Sequence, residues 1–110
     1  MSQHSNSEGG RFKSFSSFYP YYKSEHQKRG TRILHFIGTS IFFLFLISAL
    51  WNANLWHVLY GAISAYFFAW LGHFFVEKNK PATFRYPLWS LMGDFKLYFQ
   101  ILTGKEGFGR

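Results

Sequence analysis

The sequence predicts an all-α membrane protein: an antiparallel two-span transmembrane helical hairpin with flanking interfacial amphipathic helices. The first observation is that residues 33–76 contain no Asp, Glu, Lys or Arg, although the chain has 12 basic and 5 acidic residues. The second is the composition, with 48% hydrophobic, 24% aromatic and only 15% charged residues, against about 25% charged residues in a typical soluble domain. Helices on the surface of a soluble protein carry charged residues on their solvent face, and residues 33–76 provide no such face.

The uncharged stretch divides into two spans, about 33–51 and 55–76. Each is close to the roughly 20 residues that a helix needs to cross the hydrocarbon core. Residues 52–54 form a polar turn between them, and Trp51 and Trp56 are suited to the membrane interface. A buried hairpin in a soluble bundle is disfavoured because too little chain remains to cover it. A signal peptide is disfavoured because the apolar stretch begins only at residue 33.

The basic residues predict the orientation of the hairpin. All of them precede the first span or follow the second, and the turn between the spans has no charge. The positive-inside rule therefore places both termini in the cytoplasm, in a bacterial inner membrane or an endoplasmic-reticulum-type membrane. The formal net charge of +7 also suits nucleic acid, but topology explains it without a nucleic-acid partner.

The flanks of the hairpin have an organisation of their own. Residues 1–10 are small and polar and are expected to form a disordered tail, which leaves 11–110 as a single membrane domain. Apolar residues at steps of three and four predict interfacial helices over about 12–29 and 87–103. Pro20 is expected to break or kink the first of these helices.

Four residues that can bind a metal are expected at one end of the hairpin. His35 begins the first span and His73 ends the second, so an antiparallel pairing brings them to the same depth, just inside the cytoplasmic interface. Glu77 is one helical turn beyond His73, and His26 precedes the first span. Small residues such as Gly38 allow membrane helices to approach closely.

This set of side chains predicts a metal site. Imidazole suits iron, zinc and copper, and a carboxylate completes the donor set of many non-haem Fe(II) oxygenases. Glu77 is the candidate catalytic carboxylate, either as a fourth ligand or as a group that orients a histidine. The alternative is that the histidines bond to the backbone or to each other, with Glu77 paired to Lys78 or Lys80. His57 lies at the opposite end of its span, about 24 Å from His73 along a helix, and is left out of the site.

The cysteine count narrows the chemistry further. The chain contains no Cys. This composition excludes a disulfide scaffold, a thiolate metal site and a cysteine nucleophile.

A family resemblance is carried by two runs, FYPYYKSEHQKRGTRILHFIG and GHFFVEKNKPATFRYPLWSLMGDF. Together they resemble the small integral-membrane 2-hydroxy fatty-acid dioxygenases, a family formerly catalogued as a domain of unknown function and characterised in fungi. The resemblance covers roughly residues 12–104. It implies an Fe(II)-dependent, dioxygen-consuming enzyme of fatty-acid α-oxidation that shortens its substrate by one carbon. By position, it implies that His26, His35 and His73 are iron ligands, with Glu77 as a ligand or orienting group.

A 2-hydroxy fatty acid can chelate iron through its carboxylate and hydroxyl while its tail stays in the bilayer. Lys78, Lys80 and Arg85 are the candidate substrate-binding residues for that carboxylate, or they contact anionic lipid headgroups instead. Two other functions stay open, a non-catalytic membrane assembly module and a zinc-dependent membrane hydrolase with the same ligands. Because two spans bury little surface, a homo-oligomer or another partner is expected in each case.

Overall fold

The computed structural model describes residues 12–109, and each regular element in that range is helical. The four α-helices are α1 (Phe15–Ser24), α2 (Arg29–Asn52), α3 (Trp56–Leu71) and α4 (Pro87–Leu102). A π-helical turn (Gly72–Glu77) continues α3, and a 3₁₀ turn (Ala82–Phe84) precedes α4. The all-helical class is therefore confirmed, whereas the predicted disordered tail, residues 1–10, lies outside the described residues.

Two helical segments are long and apolar enough to cross a membrane, α2 (Arg29–Asn52) and α3 with the π turn (Trp56–Glu77). They contain nearly all of the two spans predicted from the sequence. The turn between them ends α2 at Ala53, whose φ of 49° is left-handed. The Asn54 amide then donates to the Ala49 carbonyl at 2.9 Å, which satisfies one of the last carbonyls of the helix.

Small residues bring α2 and α3 into close contact. A Cβ added to Gly38 would lie 2.9 Å from the Ala65 carbonyl oxygen, and one added to Gly61 would lie 2.8 Å from Phe45 Cβ. Gly72, in the π turn, would meet Thr31 Cα at 3.1 Å. These contacts pair residue 38 with 65, residue 61 with 45 and residue 72 with 31, and the rings of His35 and His73 lie 5.0 Å apart.

Helix α1 is shorter than the predicted 12–29. It begins after a capping box in which the Ser14 hydroxyl accepts from the Ser17 amide at 3.2 Å. The helix continues through Pro20, where the sequence predicts a break or a kink. A proline has no N–H, so the carbonyl four residues earlier loses its hydrogen-bond donor. That residue, Ser16, is exposed, so water can replace the amide. The helix ends at Ser24, with Glu25 as its C-cap residue, and Lys28 is the extended N-cap residue of α2.

An aromatic core joins α1 to α4. Phe18 is fully buried, and its ring centroid lies 5.1 Å from that of Tyr86 and 5.7 Å from that of Trp89. Leu97 of α4 is buried in the same core. The two flanking helices therefore pack on each other beside one end of the α2–α3 pair, and their apolar stripes bury one another.

The residues after α4 fold back as a C-terminal strap, residues 105–109. The Glu106 carboxylate pairs with Lys23 of α1 at 3.1 Å and with Arg32 of α2 at 3.0 Å. Arg32 Nη1 also donates to the Gly107 carbonyl at 2.8 Å. The strap thereby ties α1 and α2 together next to the loop that carries His26.

Candidate metal centre

Three histidines from three different elements meet in the structure: His26 from the α1–α2 loop, His35 from α2 and His73 from the π turn. Their ligand atoms all lie within 4.8 Å of one another. The ring centroids are 4.4 Å apart for two of the pairs and 5.0 Å for the third. All three side chains are buried. We refer to them as the histidine cluster.

His26 is held by the backbone and by an aromatic ring. Its Nδ1 lies 2.6 Å from the Tyr22 carbonyl oxygen, and its ring stacks on the Tyr22 ring with centroids 4.1 Å apart. The carbonyl of His26 accepts from Arg32 Nε at 2.6 Å. The loop that follows α1 is thus fixed by the first turns of α2, and the imidazole has a single orientation.

The other two histidines are also oriented through Nδ1. His35 Nδ1 lies 3.0 Å from the Thr31 carbonyl oxygen, one helical turn earlier. His73 Nδ1 lies 2.8 Å from Asn79 Oδ1. The Asn79 amide cannot be reversed without loss, because its Nδ2 donates to the Glu25 carbonyl at 3.2 Å and to the Glu25 carboxylate at 3.3 Å.

These contacts determine which ring nitrogens carry protons. Carbonyl oxygens only accept hydrogen bonds, so each Nδ1 must be the protonated nitrogen and each Nε2 must present a lone pair. His26 Nε2 and His35 Nε2 nevertheless lie 3.1 Å apart. Two lone pairs at that distance repel unless a cation shares them. The donor set therefore fits a metal ion of the kind that imidazole binds, with each second nitrogen held by an oxygen acceptor as in known metal sites.

Burial keeps the cluster neutral. The pKa of His26 is lowered well below its usual range, first by burial and then by the neighbouring imidazoles of His35 and His73. A neutral imidazole is the form that binds metal. The lowered pKa therefore favours the neutral, metal-binding form of His26.

The π-helical turn determines where His73 points. A π turn inserts an extra residue into a helix and is frequent at functional sites. Here it runs from Gly72 to Glu77, and the next residue, Lys78, has a left-handed φ of 65°. The Asn79 amide then donates to the His73 carbonyl at 2.9 Å. This closure places the Asn79 side chain directly on the His73 ring.

Glu77 lies outside the group of ligand atoms. Its Oε2 accepts from the Lys28 amide at 2.5 Å, which joins the π turn to the start of α2. The three cations predicted to bind substrate, Lys78, Lys80 and Arg85, are exposed between the π turn and α4. His57 lies at the other end of the helix pair, where its Nδ1 is 2.7 Å from Ser48 Oγ.

A cavity of about 280 Å³ adjoins the cluster. Its walls are mostly apolar; the lining residues that carry polar groups are His35, Thr39, Tyr66 and Asp94, and the others are Phe42, Ala62, Ala65, Ala69, Leu91 and Phe95. We refer to it as the apolar cavity. Its size and lining suit an aliphatic chain with a polar head near the histidines.

Several residues of the site carry no clear signal in the sequence. Asn79 is in a loop and resembles any polar loop residue, and Ser90 resembles a polar position on the solvent face of α4. Tyr22 stands four residues before His26, so the helical stripe already placed them together. Asp94 stood out as an acid on α4, and its pKa is raised to about 7 by burial, although Tyr22 donates a hydrogen bond to it.

Residues 12–106 match the family model described as 2-hydroxy-palmitic acid dioxygenase Mpo1-like. No curated protein and no solved structure matches the chain. The family match spans the elements described here from before α1 into the C-terminal strap, including the three histidines, the π turn and α4. The chain therefore belongs to the Mpo1-like family of 2-hydroxy-palmitic acid dioxygenases.

Proposed function

We propose that this protein is an Fe(II)-dependent dioxygenase that shortens a 2-hydroxy fatty acid by one carbon, with His26, His35 and His73 as the iron ligands. The observation that carries this proposal is the convergence of three imidazoles whose Nδ1 atoms all meet oxygen acceptors. Family membership supports the substrate class. Three protein ligands leave positions free for dioxygen and for a chelating substrate.

When bound, Fe(II) supplies the redox centre at which dioxygen and the 2-hydroxy acid react. The chain itself holds the ligands in place, through the Tyr22 and Thr31 carbonyls and the Asn79 amide. The apolar cavity receives the acyl tail and excludes water from the side of His35. We assign Glu77 to a positioning role, because its carboxylate binds the Lys28 amide at the start of α2.

We further propose that α2 and α3 form an antiparallel transmembrane hairpin, with both termini on the cytoplasmic side of a bacterial inner membrane or endoplasmic-reticulum-type membrane. Two sufficiently long apolar helices and the distribution of basic residues support this topology. The histidine cluster then lies just inside the cytoplasmic interface, where an amphiphilic acid can present its head. Lys78, Lys80 and Arg85 are exposed at that end and can attract the substrate carboxylate.

The exposed apolar residues of the two long helices support contact with membrane lipid and with a second copy of the chain. Large side chains on both helices are more than half exposed, including Leu44, Ile47, Ile63 and Phe67. Lipid covers such surfaces in a monomer, and a second copy covers part of them in a homo-oligomer. We propose a homo-oligomer in the membrane.

The same donor set favours a second candidate, a zinc-dependent hydrolase, because zinc also accepts three imidazoles and leaves one position for water. The test is dioxygen uptake by purified protein in detergent, loaded anaerobically with Fe(II) or with zinc and supplied with 2-hydroxy fatty acids. We expect uptake with Fe(II) alone, matched by formation of the acid one carbon shorter. His73→Ala should abolish uptake, and His57→Ala should leave it unchanged.

Two outcomes would overturn the dioxygenase proposal. Hydrolytic activity of the zinc form, with no dioxygen uptake by the iron form, would establish the hydrolase. Absence of uptake together with failure to retain either metal would indicate a non-catalytic membrane assembly module.

A further inference from the structure

The apolar cavity meets a smaller space of about 10 Å³ beside the histidine cluster. The smaller space is lined by all three histidines and also by Tyr22, Thr83, Ser90 and Asp94. His35, Tyr66, Ala69 and Asp94 line both spaces. A fatty acid whose tail fills the apolar cavity therefore has its first carbons at this junction, between the histidines and one face of α4.

Ser90 contributes a hydroxyl that no protein group satisfies. Ser90 is only 2% exposed, and its Oγ has no hydrogen-bond partner among residues 12–109. Buried hydroxyls are nearly always paired, because an unpaired one loses its bond to water and gains nothing. Ser90 lines the smaller space beside the histidines. An unpaired buried hydroxyl at the wall of such a space indicates a bound polar group.

Asp94 lies one helical turn after Ser90, so both side chains project from the same side of α4. The Tyr22 hydroxyl donates to Asp94 Oδ1, which fixes the carboxyl group and leaves the second oxygen for another partner. Gly93 allows this arrangement, since a Cβ there would lie 2.9 Å from Tyr22 Cδ2. The carboxyl group thus faces the junction of the two spaces from a fixed position.

We infer that Ser90 and Asp94 form a subsite for the 2-hydroxyl group of the substrate and select 2-hydroxylated over unsubstituted fatty acids. The 2-hydroxyl donates to the free oxygen of Asp94 and accepts from Ser90 Oγ. This inference rests on the proposed function for the identity of the substrate. The selection between 2-hydroxylated and unsubstituted acids is thereby assigned to α4, whereas the proposed metal ligands lie on the α1–α2 loop, on α2 and on the π turn.

The chemistry of the pair explains why selection follows. A site built to hydrogen-bond a substrate hydroxyl discriminates strongly against an analogue without it, because the buried polar groups are then left unpaired. An unsubstituted acid would leave Ser90 Oγ and the Asp94 oxygen buried beside a methylene group. The burial that raises the pKa of Asp94 to about 7 also makes an unpaired carboxyl group at this position costly.

The test is competition binding with protein loaded anaerobically with Fe(II), so that no turnover is needed. A fluorescent fatty acid is displaced by 2-hydroxypalmitic acid or by palmitic acid, and the preference is the ratio of the two affinities. The variants are Ser90→Ala and Asp94→Asn, with Ser64→Ala as the matched control. Ser64 donates to the Tyr60 carbonyl of its own helix at 2.9 Å and lines neither space.

We expect wild type to prefer the 2-hydroxy acid, and Ser90→Ala and Asp94→Asn each to reduce that preference by about tenfold, as for loss of one buried hydrogen bond. Palmitic acid should bind wild type and Ser64→Ala alike, and it should bind Ser90→Ala and Asp94→Asn no more weakly than wild type. Ser90→Ala should not lower the melting temperature, because it removes an unpaired hydroxyl. Asp94→Asn still accepts from Tyr22, but its amide can no longer accept from the 2-hydroxyl.

Three results would overturn the subsite: a wild type that binds the two acids equally, an equal loss of affinity for both acids in the variants, or a preference that the variants leave unchanged. Failure of the proposed dioxygenase reaction can be distinguished from failure of the subsite. A preference for the 2-hydroxy acid that falls in the variants, without dioxygen uptake by wild type, keeps the subsite and loses the dioxygenase, and uptake with an unchanged preference in the variants does the reverse.

Discussion

The two ends of the α2–α3 pair both contain histidine, but only one end has the geometry of a metal site. At the turn between the helices, Leu50 is 77% exposed and Trp51 is 88% exposed, and His57 contacts Ser48. At the other end, the histidine cluster is buried under the α1–α2 loop, α4 and the π turn. Two helices alone cannot enclose a side chain, and the flanking elements supply the remaining walls.

The contrast also lies in what each histidine bonds. His57 Nδ1 meets a hydroxyl, which can donate or accept, so either tautomer satisfies the contact. In the cluster, Nδ1 meets carbonyl oxygens, which only accept. The partner of the second nitrogen, more than the presence of histidine, distinguishes a metal ligand from an interfacial residue. The following predictions test this comparison, from the largest effect to the smallest.

The largest effect is expected from loss of a ligand. His35→Ala removes one of the three convergent imidazoles, so we expect the purified protein to lose essentially all bound iron. His57→Ala removes the same side chain at the other end of the helix pair and should keep the iron content of wild type. Elemental analysis of anaerobically purified protein measures both. Equal iron in the two variants would contradict the distinction between the two ends.

A smaller effect is expected from the residue that orients His73. Asn79→Ala removes the oxygen that fixes the tautomer of His73, and loss of such a partner typically weakens metal affinity by about 10–100-fold. Asn52→Ala is the matched control, because Asn52 Nδ2 donates to the Ser48 carbonyl at the far turn. Fe(II) titration under anaerobic conditions gives both affinities. Unchanged affinity in Asn79→Ala would show that the amide does not orient the ligand.

Two glycine substitutions separate packing from metal binding. A methyl group at Gly93 would lie 2.9 Å from the Tyr22 ring, and one at Gly61 would lie 2.8 Å from Phe45 Cβ. Overpacking of this kind typically costs about 1–3 kcal/mol of folding free energy. We expect Gly93→Ala and Gly61→Ala both to lower the melting temperature. Only Gly93→Ala should also weaken iron binding, since Tyr22 stacks on His26.

The smallest effect concerns the strap. Burial raises the pKa of Glu106, but hydrogen bonds from Lys23 and Arg32 outweigh it, and the net pKa is lowered. A carboxyl group with a lowered folded pKa stabilises the fold above its ordinary pKa, and that contribution is lost as pH falls through the lowered value.

Glu106→Gln should therefore melt below wild type at pH 7, and the difference should shrink at acid pH. Lys105→Gln, at an exposed neighbouring position, should show no such pH dependence. A melting difference for Glu106→Gln that stays constant from neutral to acid pH would exclude the ion pairs as its cause.

Some features of the fold have a local pattern in the sequence, and others do not. The two long helices follow from an uncharged stretch, and the meeting of His35 and His73 follows from folding that stretch back at residues 52–54. The π turn has no such signature, because a single extra residue leaves the apolar pattern intact. Pairing of Glu77 with the Lys28 amide depends on that turn, which is why helical spacing alone directed Glu77 toward His73.

The flanking helices show the same limit. Their apolar stripes predicted interfacial helices, and α4 begins at Pro87 as the sequence indicates. The stripes could not show that α1 and α4 bury Phe18 between them, nor that Ser90 faces inward. Which helix faces contact each other depends on tertiary packing. In the sequence, a polar residue of a helix looks the same whether it contacts water or a buried site.

The most direct test of the central claim is X-ray absorption at the iron edge of the Fe(II)-loaded protein, which counts imidazole ligands. We predict three imidazoles in wild type and in His57→Ala, and loss of iron or a lower count in His26→Ala. Wild-type protein that retains no iron, or whose iron has fewer than three imidazoles, would contradict the assignment of the histidine cluster as the metal centre.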